Sequence, residues 1–145
     1  LSLVSGELSF MTLPGEVVLT GSMVNNYVKQ RIVPAPVRRR YTRRHVASLI
    51  FVCALKRVFS IAEVGALQRE LVQGGVDVAR AYDDLCAAVE RALAQRFSGE
   101  GPRSPIEEVR LYDAAGSEID GNLARALTAA VEAVADKVYV EQSLL

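Results

Sequence analysis

Apolar residues recur at three- and four-residue intervals along most of the chain, the spacing of one face of an α-helix. The first such segment is Ser22 to Gln30. Met23 or Val24, Tyr27 and Val28 share its inner side, leaving Asn25, Asn26, Lys29 and Gln30 on the other. Pro34 and Pro36 cannot continue it, because proline lacks the N–H and restricts the residue before it. Val37 to Tyr41 then reads as a basic connector. A second helix opens at Thr42, whose hydroxyl can cap it, and runs to about Val58. Val46, Leu49, Ile50, Cys53 and Ala54 form its stripe, and Phe51, Val52 and Leu55 widen it until the helix is apolar on most sides. Ser60 followed by Glu63 predicts a capping box, then a helix with Ile61, Val64, Leu67 or Gln68, and Leu71 inward, stopped by Gly74-Gly75.

The C-terminal half continues in the same period. Val78, Tyr82, Leu85, Val89, Leu93 and Phe97 mark one side of a helix over Val76–Phe97, while Arg80, Asp83, Asp84, Glu90 and Arg91 face water. Ser98 to Pro102 is a loop. Ser104-Pro105-Ile106-Glu107 has the residues of a helix start and predicts a short helix. Val109 to Tyr112 also alternates as a strand would before a turn at Ala115-Gly116. The last helix opens at Asp120-Gly121-Asn122 and carries Leu123, Leu127, Ala130 or Val131, Val134 and Val138 through to Gln142. Leu1 to Leu19 shows no such period and is broken by Pro14-Gly15, predicting a loop with a short strand. Half the 145 residues are apolar but Trp is absent, and Ala dominates after residue 77. A core of Ala, Val and Leu suits helix on helix, so the class is mainly α.

Charge changes the picture. The net charge is zero, yet Thr20 to Ala62 contains no Asp or Glu. Lys29, Arg31, Arg38, Arg39, Arg40, Arg43, Arg44, Lys56 and Arg57 all lie in that span. A local cationic excess of this kind predicts a polyanionic partner, nucleic acid first. Asn25, Asn26, Lys29 and Gln30 are suited to a groove, since Asn can bond adenine bidentately. Arg38, Arg39, Arg40, Arg43 and Arg44, with Tyr41, are suited to phosphates, which position without reading sequence. His45, in the same first turn, is a phosphate contact or a packing residue.

The residues also carry a resemblance. Val24-Asn25-Asn26-Tyr27 is similar to the end of a MerR-type recognition helix, and Arg31-Ile32-Val33-Pro34 to the Gly-Leu-Leu-Pro run after it. Arg38 to Thr42 resembles the wing, and Val58 to Val64 the Gly-Phe-Ser-Leu-x-Glu-Ile segment that follows. Asn25 stands where MerR-type proteins carry a DNA-contacting Arg. The likeness is closer to the bacterial family known as domain of unknown function 1836, which Met23-Val24-Asn25-Asn26-Tyr27-Val28-Lys29 follows nearly letter for letter.

The resemblance implies a winged helix-turn-helix over residues 20–74, after an N-terminal segment 1–19 and before a helical oligomerisation or effector region 76–145. It also implies a bacterial transcriptional regulator that binds double-stranded DNA through a recognition helix (22–30) and a wing (37–41). As in MerR-type proteins, the helices from 76 and 122 would pair in a homodimer, or else pack inside one subunit.

No motif points to catalysis, a cofactor or a metal, and an enzyme is not expected. Cys53 and Cys86 have no second Cys or His near either and read as two buried thiols. No stretch is long enough to span a membrane, and the expected compartment is the cytoplasm. Two alternatives stay open. One is a helical protein-interaction module without specific DNA binding; the other is a regulator with a small-molecule effector between the C-terminal helices.

Overall fold

The computed structural model describes residues 19–33, 35–38, 40–99, 104–119 and 121–144, without the side chains of Arg43 and Arg44. Residues 1–18 of the N-terminal segment, Pro34, Arg39, residues 100–103 and Asp120 therefore lie outside the described residues. Within them the protein is mainly α. Its elements are α1 (Gly21–Lys29), α2 (Arg43–Leu55), α3 (Ile61–Gln73), α4 (Val78–Phe97), β1 (Leu111–Tyr112), β2 (Glu118–Ile119) and α5 (Asn122–Leu144). None of the described helices is long and apolar enough to cross a membrane.

The helix starts follow local chemistry. Thr20 accepts the Met23 N–H, and Asp77 accepts the Arg80 N–H. Ser60 and Glu63 exchange hydrogen bonds at 3.0 and 3.1 Å as a capping box. Those bonds to Ser60 favour the ionised carboxylate and hold the pKa of exposed Glu63 below its usual value. Two helix ends share one geometry. After α3, the Val76 N–H bonds the Leu71 carbonyl and the Gly75 N–H the Val72 carbonyl, with Gly75 at φ 73°. After α1, Ile32 bonds Tyr27 and Arg31 bonds Val28 in the same pattern, with Arg31 at φ 60°. Both are Schellman ends. Glycine serves at one; at the other an arginine accepts a left-handed conformation that costs an L-residue about 1–2 kcal/mol.

α2 is the centre of the core. Phe51 to Leu55 are all buried, and α3, α4 and α5 each pack on this helix. The α4–α5 contact is the most extensive in the molecule. Small residues on α4 (Ala81, Ala88, Ala92) and Leu127, Ala130, Val131, Val134 and Val138 on α5 form the buried stripes, all within one chain. Arg96 of α4 reaches Asp136 at 2.8 Å and Glu132 at 3.7 Å. Cys53 is buried, and burial pushes its thiol up to about 11; Cys86 is half-buried.

Three expectations need correction. The helix predicted from Ser104 does not form. Residues 104–110 are extended and lead into β1, which pairs antiparallel with β2 in the register Leu111–Ile119 and Tyr112–Glu118. Val109 and Leu111 alternate inward, the Val109 N–H is taken by Thr128 Oγ1, and Tyr112 accepts the Asp77 N–H. These remote partners satisfy the backbone and override the local start signal. The helix predicted to begin at Val76 begins at Val78 instead, because Val76 bridges to Asp113. The helix from Thr42 closes at Leu55 rather than Val58, with Val58 and Phe59 donating to the Leu55 carbonyl in a turn.

Ala88 is fully buried. Ala88→Leu should therefore destabilise the fold by about 1–3 kcal/mol through overpacking, read as a lower urea midpoint at unchanged slope.

Candidate nucleic-acid interface

α1 divides as its pattern requires. Val24 and Tyr27 are buried, while Asn25, Asn26, Lys29 and Gln30 are exposed. The last turn is partly ordered by a hydrogen bond from Gln30 Nε2 to Asn26 Oδ1 at 3.0 Å. Asn25 and Lys29 have no such tie among the described residues.

The connector forms a tight reversal. Val37 and Arg40 make an antiparallel bridge, and the Arg40 N–H donates to the Val37 carbonyl at 2.9 Å. Arg38, at the first central position, has φ 51°. A two-residue reversal of this hand needs positive φ there, which Gly or Asn supplies most readily. Arg in that place puts a guanidinium at the tip at the cost of backbone strain. Arg38 and Arg40 are exposed, Val37 is 63% exposed and Tyr41 45%. Arg39 lies outside the described residues, as do the side chains of Arg43 and Arg44 at the start of α2.

His45 holds this loop. Its Nδ1 accepts the Thr42 N–H at 3.0 Å, so Nε2 carries the proton and donates to the Ala35 carbonyl at 2.9 Å. The ring is buried, with Tyr41 edge-on at 5.8 Å between ring centroids. Of the two roles considered for His45, the packing one is what the geometry fits; a phosphate could not reach either nitrogen without breaking a bond. The signal was present as Thr42-x-x-His45, a capping box with His in the usual place of Glu.

The basic stretch does not stay together. Lys56 turns back to α1, with Nζ 3.3 Å from the Tyr27 hydroxyl and 3.6 Å from Met23 Sδ. Arg57 pairs with Glu141 of α5 at 3.0 Å, their side chains 8% and 16% exposed. These two leave the cationic set and join the core's support. Lys29, Arg31, Arg38 and Arg40 form no ion pair among the described residues. In the C-terminal half, by contrast, Arg96 and Arg125 face carboxylates of Glu132, Asp136 and Glu108.

Sequence reasoning missed a buried polar group. Gln68 donates from Nε2 to Ser48 Oγ at 3.3 Å and to the Tyr82 hydroxyl at 3.1 Å, joining α2, α3 and α4. It shared a stripe position with Leu67 in the pattern, and only packing shows that Gln68 is the more buried. Between α2, α4 and α5, where an effector was considered, the cavity measures about 20 Å³. A larger one, about 310 Å³, is lined by Gln68, Ser48, Tyr82, Arg31 and Arg69.

His45→Ala should free the Ala35 carbonyl and remove the half of the capping box that holds the Thr42 N–H, while Thr42 still caps α2. A loss of about 1–3 kcal/mol is expected in denaturation, with faster hydrogen exchange at the Arg40 amide. Unchanged exchange there would show that the loop holds itself.

No curated protein and no solved structure shows significant similarity to the chain. Residues 1–85, which contain α1, the reversal, α2 and α3, match the family described as Domain of unknown function (DUF1836), and the chain belongs to that family.

Proposed function

We propose that the protein is a DNA-binding transcriptional regulator. Residues 20–74 act as a winged helix-turn-helix of MerR-like layout, with α1 in the major groove and the Val37–Tyr41 reversal on the backbone. The observation that carries this reading is the set of exposed cations without ion pairs among the described residues, Lys29, Arg31, Arg38 and Arg40, beside an α1 face of Asn25, Asn26 and Gln30. A strained Arg38 at a turn tip supports it, since strain of this kind clusters at working sites. Arg39, Arg43 and Arg44 join the phosphate set by their place in the sequence, and Tyr41 by its exposure.

A homodimer remains part of the reading. The buried stripes of α4 and α5 are used within one chain, so a second copy would meet what they leave outside. Phe97 and Tyr139, in ring contact at 5.1 Å, and Val140 and Leu144 are exposed there. The same patch supports a second reading, a protein-interaction module. A partner captured without DNA and insensitive to salt would favour it.

Selection from a random DNA pool at two salt concentrations tests the first reading. With about five phosphates neutralised per subunit, log affinity should fall with log salt at a slope of about −4 to −5. Replacing Arg38, Arg39 and Arg40 together by Ala should weaken binding to all sequences alike and flatten the slope. Asn25→Ala should relax preference at one base position, by about 1–3 kcal/mol of discrimination. Equal binding by the triple variant would remove the wing assignment.

A further inference from the structure

We infer that the cavity between α1's end, α3 and α4 is a binding site for a small hydroxylated carboxylic acid with an apolar body. Three choices that each cost the fold something converge on it. Arg31 occupies the left-handed end of α1 where the matching end of α3 uses Gly75. Gly65 is a buried glycine inside α3, where Ala would favour the helix by about 1 kcal/mol. Gln68 is 7% exposed, yet its Oε1 has no partner among the described residues, a desolvation cost of about 1–3 kcal/mol. All three line the same cavity of about 310 Å³, within the range of small-ligand sites.

Their chemistry is complementary. A Cβ at residue 65 would come within 3.3 Å of Arg69 Nη1 and 3.4 Å of Ile32 Cγ1. The missing side chain therefore makes room for the Arg69 guanidinium to fold back toward Ile32, next to Arg31. Arg31 and Arg69 are exposed, and neither forms an ion pair among the described residues. Two guanidiniums at the rim select a carboxylate. Ile32 and Val78 supply apolar wall. Gln68 also lines the cavity, its Oε1 closed to water and unpartnered among the described residues. A rotation of this side chain on binding brings it to a ligand hydroxyl, which satisfies it in either amide orientation, donating to Oε1 or accepting from Nε2. Nothing in this site requires DNA.

The test uses 4-hydroxybenzoate and 4-hydroxyphenylacetate, titrated into the full chain without DNA and followed by calorimetry and amide chemical shifts. One saturable site is expected, with shifts centred on Arg31, Gly65 and Gln68. Benzoate, lacking the hydroxyl, should bind about tenfold more weakly, and Gln68→Met should reduce the hydroxy acids to that level while leaving benzoate unchanged. Arg31→Gly should raise the melting temperature, by relieving the left-handed strain, and weaken both hydroxy acids about tenfold or more. That opposite movement separates a binding role from a structural one, and it stands even if the Gln68 variant fails to fold. No saturation by either acid up to about 10 mM, a Kd too weak for a built site, overturns the inference, as does unchanged affinity in Arg31→Gly. The assay contains no DNA, so its failure and that of the DNA-binding reading are read separately.

Discussion

A helix that is apolar all round must be covered all round, and α2 imposes that demand on the chain. Its second half, Phe51 to Leu55, has no residue suited to water. α3, α4 and α5 each take a side of it, and α1 is held to its end by Lys56, which reaches Tyr27 and Met23. The long α4–α5 pair completes the cover and buries its own stripes in doing so. Small residues at Ala81, Ala88 and Ala92 permit the close approach, at the expense of tolerance for larger side chains.

Charge is distributed by the same packing. The acids of α5 draw in Arg57, in the turn after α2, and Arg96, on α4. The Arg57–Glu141 pair is largely out of water, and its attraction must first offset that desolvation before it adds stability. The described cations before α2 meet no such acids among the described residues. Lys56 and Arg57 have been withdrawn from the basic run, so the exposed cations of that run without an ion pair among the described residues are Lys29, Arg31, Arg38 and Arg40.

Backbone strain gathers near α1. Arg31 and Arg38 are the described non-glycine residues with positive φ, and they bracket the segment that His45 fastens through Ala35. Gly65 and Gln68 lie across from the first of them. A fold built for stability alone would place Gly at 31, Ala at 65 and an apolar residue at 68. Local departures of this kind are where sequence and scaffold serve different ends.

The sequence by itself determined what depends on neighbours within a turn or two. Thr42, Ser60 and Gly74-Gly75 set helix bounds, and the period of apolar residues named the inward faces of α1 to α5. Asn25, Asn26, Lys29 and Gln30 were legible as an outer face for the same reason. The tertiary structure decided what depends on distant partners. Residues 109–112 became strand because Asp77 and Thr128 were there to bond them. Arg57 turned inward because Glu141, 84 residues on, meets it. Gln68 was buried in place of Leu67 because Ser48 and Tyr82 converge there. Helix caps and stripes are local energies written in short spacings; a side chain's burial and its counter-charge are fixed only when remote segments meet.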